Sequence, residues 1–385
     1  MPSSLNIWFV LVVSISVLIS WTSLIGEGGQ SSAPSASEFS SVSLASSYVE
    51  SSLEYDFYRQ TCPQAEAIVR SSMARIYSEH QDVSPALLRL FFHDCFIEVA
   101  APFPSFSSLL FPKMRGCDAS ILLDDSNGDQ NRSIERRAIP NKTLKGFDQI
   151  DLIKEELEKA CPGVVSCADT VSIATRDGIV LAGGPFYPVL TGRRDSSHSY
   201  YNEALAEIPR PDDNVTQTLH LFALRGFDER ETVSLLGGHN IGKIGCEVIE
   251  KRLSDFKGTG QPDPMIAPDF LTEMRLKCQD SSSNSTTLLP GMSYLQTLSS
   301  SMSSGASFGT HYYRSLLMGR GLLFADQQLM AEEKTARLVR AYASDDGSTF
   351  RMDFARALMK MSSLGVLTGL KGQVRRNCSL PVFTF

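Results

Sequence analysis

The sequence has no Cys-x-x-Cys pair and no excess of basic residues. Beyond residue 30 it has no apolar run long enough to span a bilayer. Without closely paired cysteines, a zinc ribbon or a thioredoxin-type motif is excluded. A net charge of −7 over 385 residues argues against a nucleic-acid partner. Period-two alternation is scarce, which leaves little for strands. The strongly apolar run Ile7–Ile25 has no Lys or Arg before it and no clean small-x-small site after it. Its length still fits a signal peptide over residues 1–28, with a signal anchor as the alternative. Residues 29–52 then read as a Ser-rich disordered leader.

What is present supports a large core: 42% hydrophobic residues, 21 of them phenylalanine, and 21% charged. Helical spacing recurs in Pro63–His80, Phe147–Ala160, Asp169–Leu181, Thr216–Leu224, Asp228–Leu236, Glu332–Ala343 and Ser348–Leu364. In Phe147–Ala160 the charged residues Lys154, Glu155, Glu156, Glu158 and Lys159 read as a solvent face. The expected fold is mostly α. Eight cysteines fit a disulfide framework once a secretory start is granted. Five Asn-x-Ser/Thr triplets, at Asn131, Asn141, Asn214, Asn284 and Asn377, agree with a glycoprotein.

Chemistry concentrates in three places. In Leu87–Cys95, Arg89 and His93 stand four residues apart in an apolar segment, one turn apart on one face of a buried helix. A core histidine beside a charge is the plain reading of that pair. His239 follows the paired glycines Gly237 and Gly238, which permit close approach of a planar partner or another backbone. Asp326 follows an apolar run, and a buried carboxylate needs a donor just as a ligating histidine needs its other nitrogen held.

From Leu53 to Cys378 the chain resembles the secreted plant haem peroxidases of class III. The landmarks are Tyr55-Asp56-Phe57-Tyr58 with Cys62-Pro63, Arg89 to Phe96, Gly116-Cys117-Asp118-Ala119-Ser120 and Pro162 to Asp169. Gly192-Arg193-Arg194-Asp195, Gly237-Gly238-His239 and Asp326-Gln327 follow in order. The resemblance implies a haem peroxidase domain over 53–385, with haem b between a distal and a proximal helix. His239 would be the axial iron ligand and Asp326 its hydrogen-bond partner. Arg89 and His93 would act on hydrogen peroxide, His93 as base and then acid, with Phe92 walling off the iron and Asn141 fixing the His93 tautomer. Pro209 would line the site for small phenolic donors. A distal calcium would be held by Asp94, Asp118, Ser120 and the carbonyls of Ile97 and Gly116, with Glu135 joined through water. The implied disulfides are Cys62–Cys161, Cys95–Cys117, Cys167–Cys378 and Cys246–Cys278.

The chain departs from the family pattern twice. Val99–Arg115 is an insert whose removal rejoins Glu98 to Gly116 and restores the expected spacing. It reads as a retained intron or a misplaced exon boundary rather than a genuine loop. On the proximal side, Asn240 stands where the family has Thr. Gly309 occupies a carboxylate position and the serine-rich stretch before it carries no acid, so a proximal calcium is expected to be absent. The expected protein is a secreted, monomeric haem peroxidase of the extracellular space or cell wall, acting in hydrogen peroxide catabolism and the response to oxidative stress. The alternative is a haem- or cell-wall-binding protein of the same fold with weak turnover.

Overall fold

The computed structural model describes residues 52–97, 116–124, 134–279, 295–297 and 308–382. The expected signal peptide, nearly all of the leader, the insert Val99–Arg115 and the triplets at Asn131 and Asn284 lie outside the described residues.

Helix Cys167–Leu181 sits at the centre of the fold, and residues Cys167 to Ile179 are all buried. A helix apolar or satisfied all round belongs inside a packed group rather than on a surface. The Ser166 hydroxyl starts it by accepting from the Asp169 amide. Helices Ala65–Glu79 and Val83–Phe96 pack on it, and Phe147–Ala160 lies against the first of these and the central helix. Ser84 Oγ donates to the Gly178 carbonyl at 2.7 Å and Thr175 Oγ1 to the Leu87 carbonyl at 3.2 Å. These bonds fix how Val83–Phe96 lies on the central helix. A second group forms from Glu229–Leu236, His311–Leu317, Glu333–Ser344 and Ser348–Met361. Among the described residues the only sheet is one antiparallel pair, Lys243–Gly245 with Leu295–Thr297, Ile244 opposite Gln296. All four disulfides have the implied partners, and no cysteine is free.

One expectation fails inside Phe147–Ala160. Lys154 is 2% exposed, and its ammonium meets Glu158 Oε1 at 2.6 Å and donates to the Val165 carbonyl. Its stem packs inward with Ile150, Ile153 and Leu157 while the head finds two acceptors.

A buried ion pair anchors the central helix. Asp169 and Arg193 are fully buried and 2.7 Å apart. Asp169 Oδ2 also accepts from the Tyr58 hydroxyl and the Gly192 and Arg193 amides.

Candidate functional site

Val83–Phe96 is the helix that the Arg89/His93 spacing anticipates. It ends at Phe96, whose carbonyl accepts from Arg225 Nε at 2.6 Å while the guanidinium lies 4.2 Å from the Phe96 ring centre. A cation at a helix C-terminus meets the orphan carbonyls and the negative end of the dipole.

A loop holds the side chains of Arg89 and His93. Arg89 donates to Thr143 Oγ1 and to the Pro140 carbonyl, each at 2.9 Å. His93 Nδ1 and Asn141 Oδ1 are 2.6 Å apart, and Asn141 Nδ2 donates to the Glu135 carbonyl at 2.9 Å. That second bond fixes the amide orientation, so Asn141 presents its oxygen and His93 Nδ1 must be the donor. His93 Nε2 is therefore left with a lone pair. Burial first, then the nearby charge of Arg89, pushes the His93 pKa down to about 3, against the opposing pull of Asn141. Arg89 itself is exposed and is held by the loop bonds to Thr143 and Pro140. Phe92 is half-buried, stacked on Phe96 with ring centres 4.7 Å apart. Asn141 is 2% exposed, so its Asn-Lys-Thr triplet is not a surface acceptor, whereas Asn214 and Asn377 are exposed.

On the facing side, helix Glu229–Leu236 begins with a capping box between Asp228 and Glu231 and runs into the tight turn Gly237–Asn240. A Cβ at Gly238 would stand 3.3 Å from Leu88 Cδ2, so this turn faces the helix of Arg89 and His93. A Cβ at Gly237 would lie 2.4 Å from both the Tyr313 hydroxyl and the Phe350 ring. Gly237→Ala is therefore expected to lower stability by about 1–3 kcal/mol, as overpacking does. Urea unfolding measures it, and an unchanged midpoint would show that the turn yields freely.

His239 Nδ1 meets Asp326 Oδ1 at 2.7 Å. Burial works against a charged His239, but the charge and hydrogen bond of Asp326 outweigh it and raise the pKa. Asp326 is 1% exposed, and the Tyr312 hydroxyl also donates to Oδ1 at 3.0 Å. With Nδ1 held by a carboxylate, His239 has Nε2 left for a metal, which is the donor set of an axial haem ligand. The charge of Arg89 acts on both His93 and His239. Pro209 is half-buried just beyond helix Tyr201–Glu207, and the Pro211 carbonyl accepts from Ala325 beside Asp326.

Behind His93 the structure gathers Asp94, Asp118 and Glu135, all buried. Asp94 accepts from the Ala119 amide at 3.0 Å and the Ile121 amide at 3.5 Å, and Cys117 N donates to the Asp94 carbonyl. A Cβ at Gly116 would come within 2.6 Å of the Cys95 carbonyl, which explains glycine there. The two flanks of the insert thus pack directly on each other. Burial, then Asp118, raises Asp94 to about 7. Burial, then Asp118 and Asp94, raises Glu135 well above its ordinary value. No group of three or more His, Cys, Asp or Glu among the described residues converges to metal-holding geometry. Ile97, Gly116 and Ser120 are buried beside this cluster.

Several partners escaped the sequence reading: Thr143 and Pro140 on Arg89, Arg225 at the helix end, Tyr312 on Asp326, and Arg375. Arg375 is fully buried, and burial lowers its pKa against the opposing charges of Asp195, Asp118, Asp94 and Glu135. None has a local signal, because each acts across a long sequence separation.

Comparison with known proteins agrees with this geometry. The family described as Peroxidase matches residues 69–345. Putative Peroxidase 48 of Arabidopsis thaliana is 44% identical, over 90% of this chain and 87% of that protein. Peroxidase 57 of Arabidopsis thaliana is 38% identical over 85% and 91%, and Peroxidase 71 of the same plant 39% over 84% and 88%.

Proposed function

Because this chain belongs to the peroxidase family, in its class III plant branch, and is a haem peroxidase, we propose that it reduces hydrogen peroxide and oxidises small phenolic donors by one-electron steps, as a monomer outside the cell. The observation that carries this reading is the orientation of His93: Nδ1 donates to Asn141, and Nε2 keeps its lone pair within the field of the Arg89 charge. Haem bound at His239 would supply the electrons that cleave the O–O bond. His93 Nε2 takes the proton from one peroxide oxygen and returns it to the departing one. Arg89, locked by Thr143 and Pro140, stabilises the negative charge on the leaving oxygen. Phe92 restricts access so that donors react from the side, and Pro209 lines their site. No helix among the described residues is long and apolar enough to cross a membrane, and the four disulfides suit an oxidising compartment. Steady-state oxidation of guaiacol by the purified, haem-loaded protein tests the proposal. Full haem occupancy without turnover would favour the haem- or wall-binding alternative.

A distal calcium belongs to the same proposal. Asp118 disfavours charge on Asp94, and Asp118 and Asp94 disfavour it on Glu135, and a divalent ion would reverse that penalty. The carbonyls of Ile97 and Gly116 and the Ser120 hydroxyl would complete the shell. The sign follows from the raised pKa of Asp94. Without metal, that carboxyl favours the fold at acid pH, and the benefit is lost as pH rises from about 4 through about 7. Chelation is therefore expected to lower the Tm more at pH 8 than at pH 5. An equal loss at both, or none, would remove calcium from this cluster.

A further inference from the structure

Asn240 follows the proposed axial ligand His239 directly and is 2% exposed. Nδ2 donates to the Gly309 carbonyl at 2.5 Å, and Oδ1 accepts from the Tyr312 amide at 3.0 Å. The side chain thus ties the histidine turn directly to the start of helix His311–Leu317. A cation needs carbonyl oxygens turned towards it. Here an N–H points at the Gly309 oxygen, which is the wrong polarity for a metal shell.

The tether continues. Tyr312 is buried, and its hydroxyl donates to Asp326 Oδ1 at 3.0 Å, the same oxygen that holds His239 Nδ1 at 2.7 Å. Its ring stands edge-on to His239, centres 6.1 Å apart. Backbone and side chains therefore close a loop: His239 to Asn240 by a peptide bond, Asn240 to Tyr312, Tyr312 to Asp326, and Asp326 back to His239. Asp326 Oδ2 separately accepts from the Leu323 amide at 3.2 Å.

We propose that Asn240 and Tyr312 are positioning residues that set the electron-donating strength of His239: Asn240 replaces a metal as the tether, and Tyr312 shares the Asp326 oxygen. This rests on the reading of His239 as the haem ligand. Two donors on one carboxylate oxygen divide its negative charge, so each is held less strongly than it would be alone. Tyr312 therefore moderates the pull of Asp326 on the Nδ1 proton, and with it the basicity of Nε2. Asn240 keeps the hydroxyl in place by fixing the Tyr312 backbone.

The test uses the full chain loaded with haem. Tyr312→Phe keeps the ring and its packing, so folding is retained while Asp326 Oδ1 is left to His239 alone. The expected result is a higher iron–histidine stretching frequency in the reduced protein and a more negative reduction potential. Asn240→Ala is expected to move both in the same direction, with no recovery on adding calcium. Values equal to the parent in Tyr312→Phe, with histidine ligation intact, would overturn the role of Tyr312. Recovery of Asn240→Ala by calcium, or a frequency change when the parent is chelated, would overturn the metal-free tether. Haem spectra without histidine ligation in the parent would instead refute the reading of His239, a separately visible outcome.

Discussion

Haem-loaded His93→Ala is expected to react with hydrogen peroxide about 10²–10⁴-fold more slowly than the parent protein, the range for loss of a positioned acid–base group. Haem affinity should change little, because His239 and Asp326 lie on the other side. The size of the loss reflects how completely the surroundings prepare one nitrogen. Asn141 holds Nδ1 and is itself oriented by the Glu135 carbonyl, so Nε2 is the basic atom before substrate arrives. Stopped-flow mixing with peroxide measures the step. A His93→Ala rate within threefold of the parent would sink the assignment.

The same burial gives the acid limb a definite sign. The folded pKa of about 3 lies below the ordinary 6.5. The rate should therefore stay level through pH 5 and fall only as His93 protonates near pH 3. Stability behaves differently: between about 6.5 and 3 the unfolded chain takes up a proton that the folded protein refuses. His93 alone then removes about 1.4 kcal/mol per pH unit in that window, and nothing above it.

Asp169→Ala is expected to cost roughly 3–5 kcal/mol, the penalty for leaving one partner of a buried ion pair uncompensated. Asp169 receives the Arg193 guanidinium, the Tyr58 hydroxyl and two amides, all in the interior. Removing it strands a fully buried cation at the head of the central helix. Chemical denaturation of the haem-free and haem-loaded forms reads the loss. A change below about 1 kcal/mol in both would mean that water reaches Arg193, against its full burial.

The distal helix was legible in the sequence because its information is local: four-residue spacing places Arg89 and His93 on one face. The helices Glu229–Leu236 and Ser348–Met361 were legible for the same reason. Cys246–Ser254 was not, since its buried apolar pair, Ile249 and Leu253, is a single repeat long. Lys154 was misread because a charge on a helix face looks solvated until the Val165 carbonyl and Glu158 are seen beside it. The disulfide partners came from the resemblance, since spacing alone does not select them. Tyr312 stood among paired aromatics, and nothing near it announced Asp326. The Asn240 tether spans two distant segments, so the substitution could be seen in the sequence while its bonds could not.

The Asn141-Lys142-Thr143 triplet holds the proposed peroxide-side pair, with Asn141 on His93 and Thr143 on Arg89. An oligosaccharyltransferase acts on an extended nascent chain, before any of these bonds exists. On a secretory route, sugar transfer and folding would then race for one amide nitrogen. A molecule modified there could not donate to Glu135 in the same way or close the pocket around His93. Active molecules would be those in which folding wins, and the pace of chain collapse in this loop would then set the yield of competent enzyme.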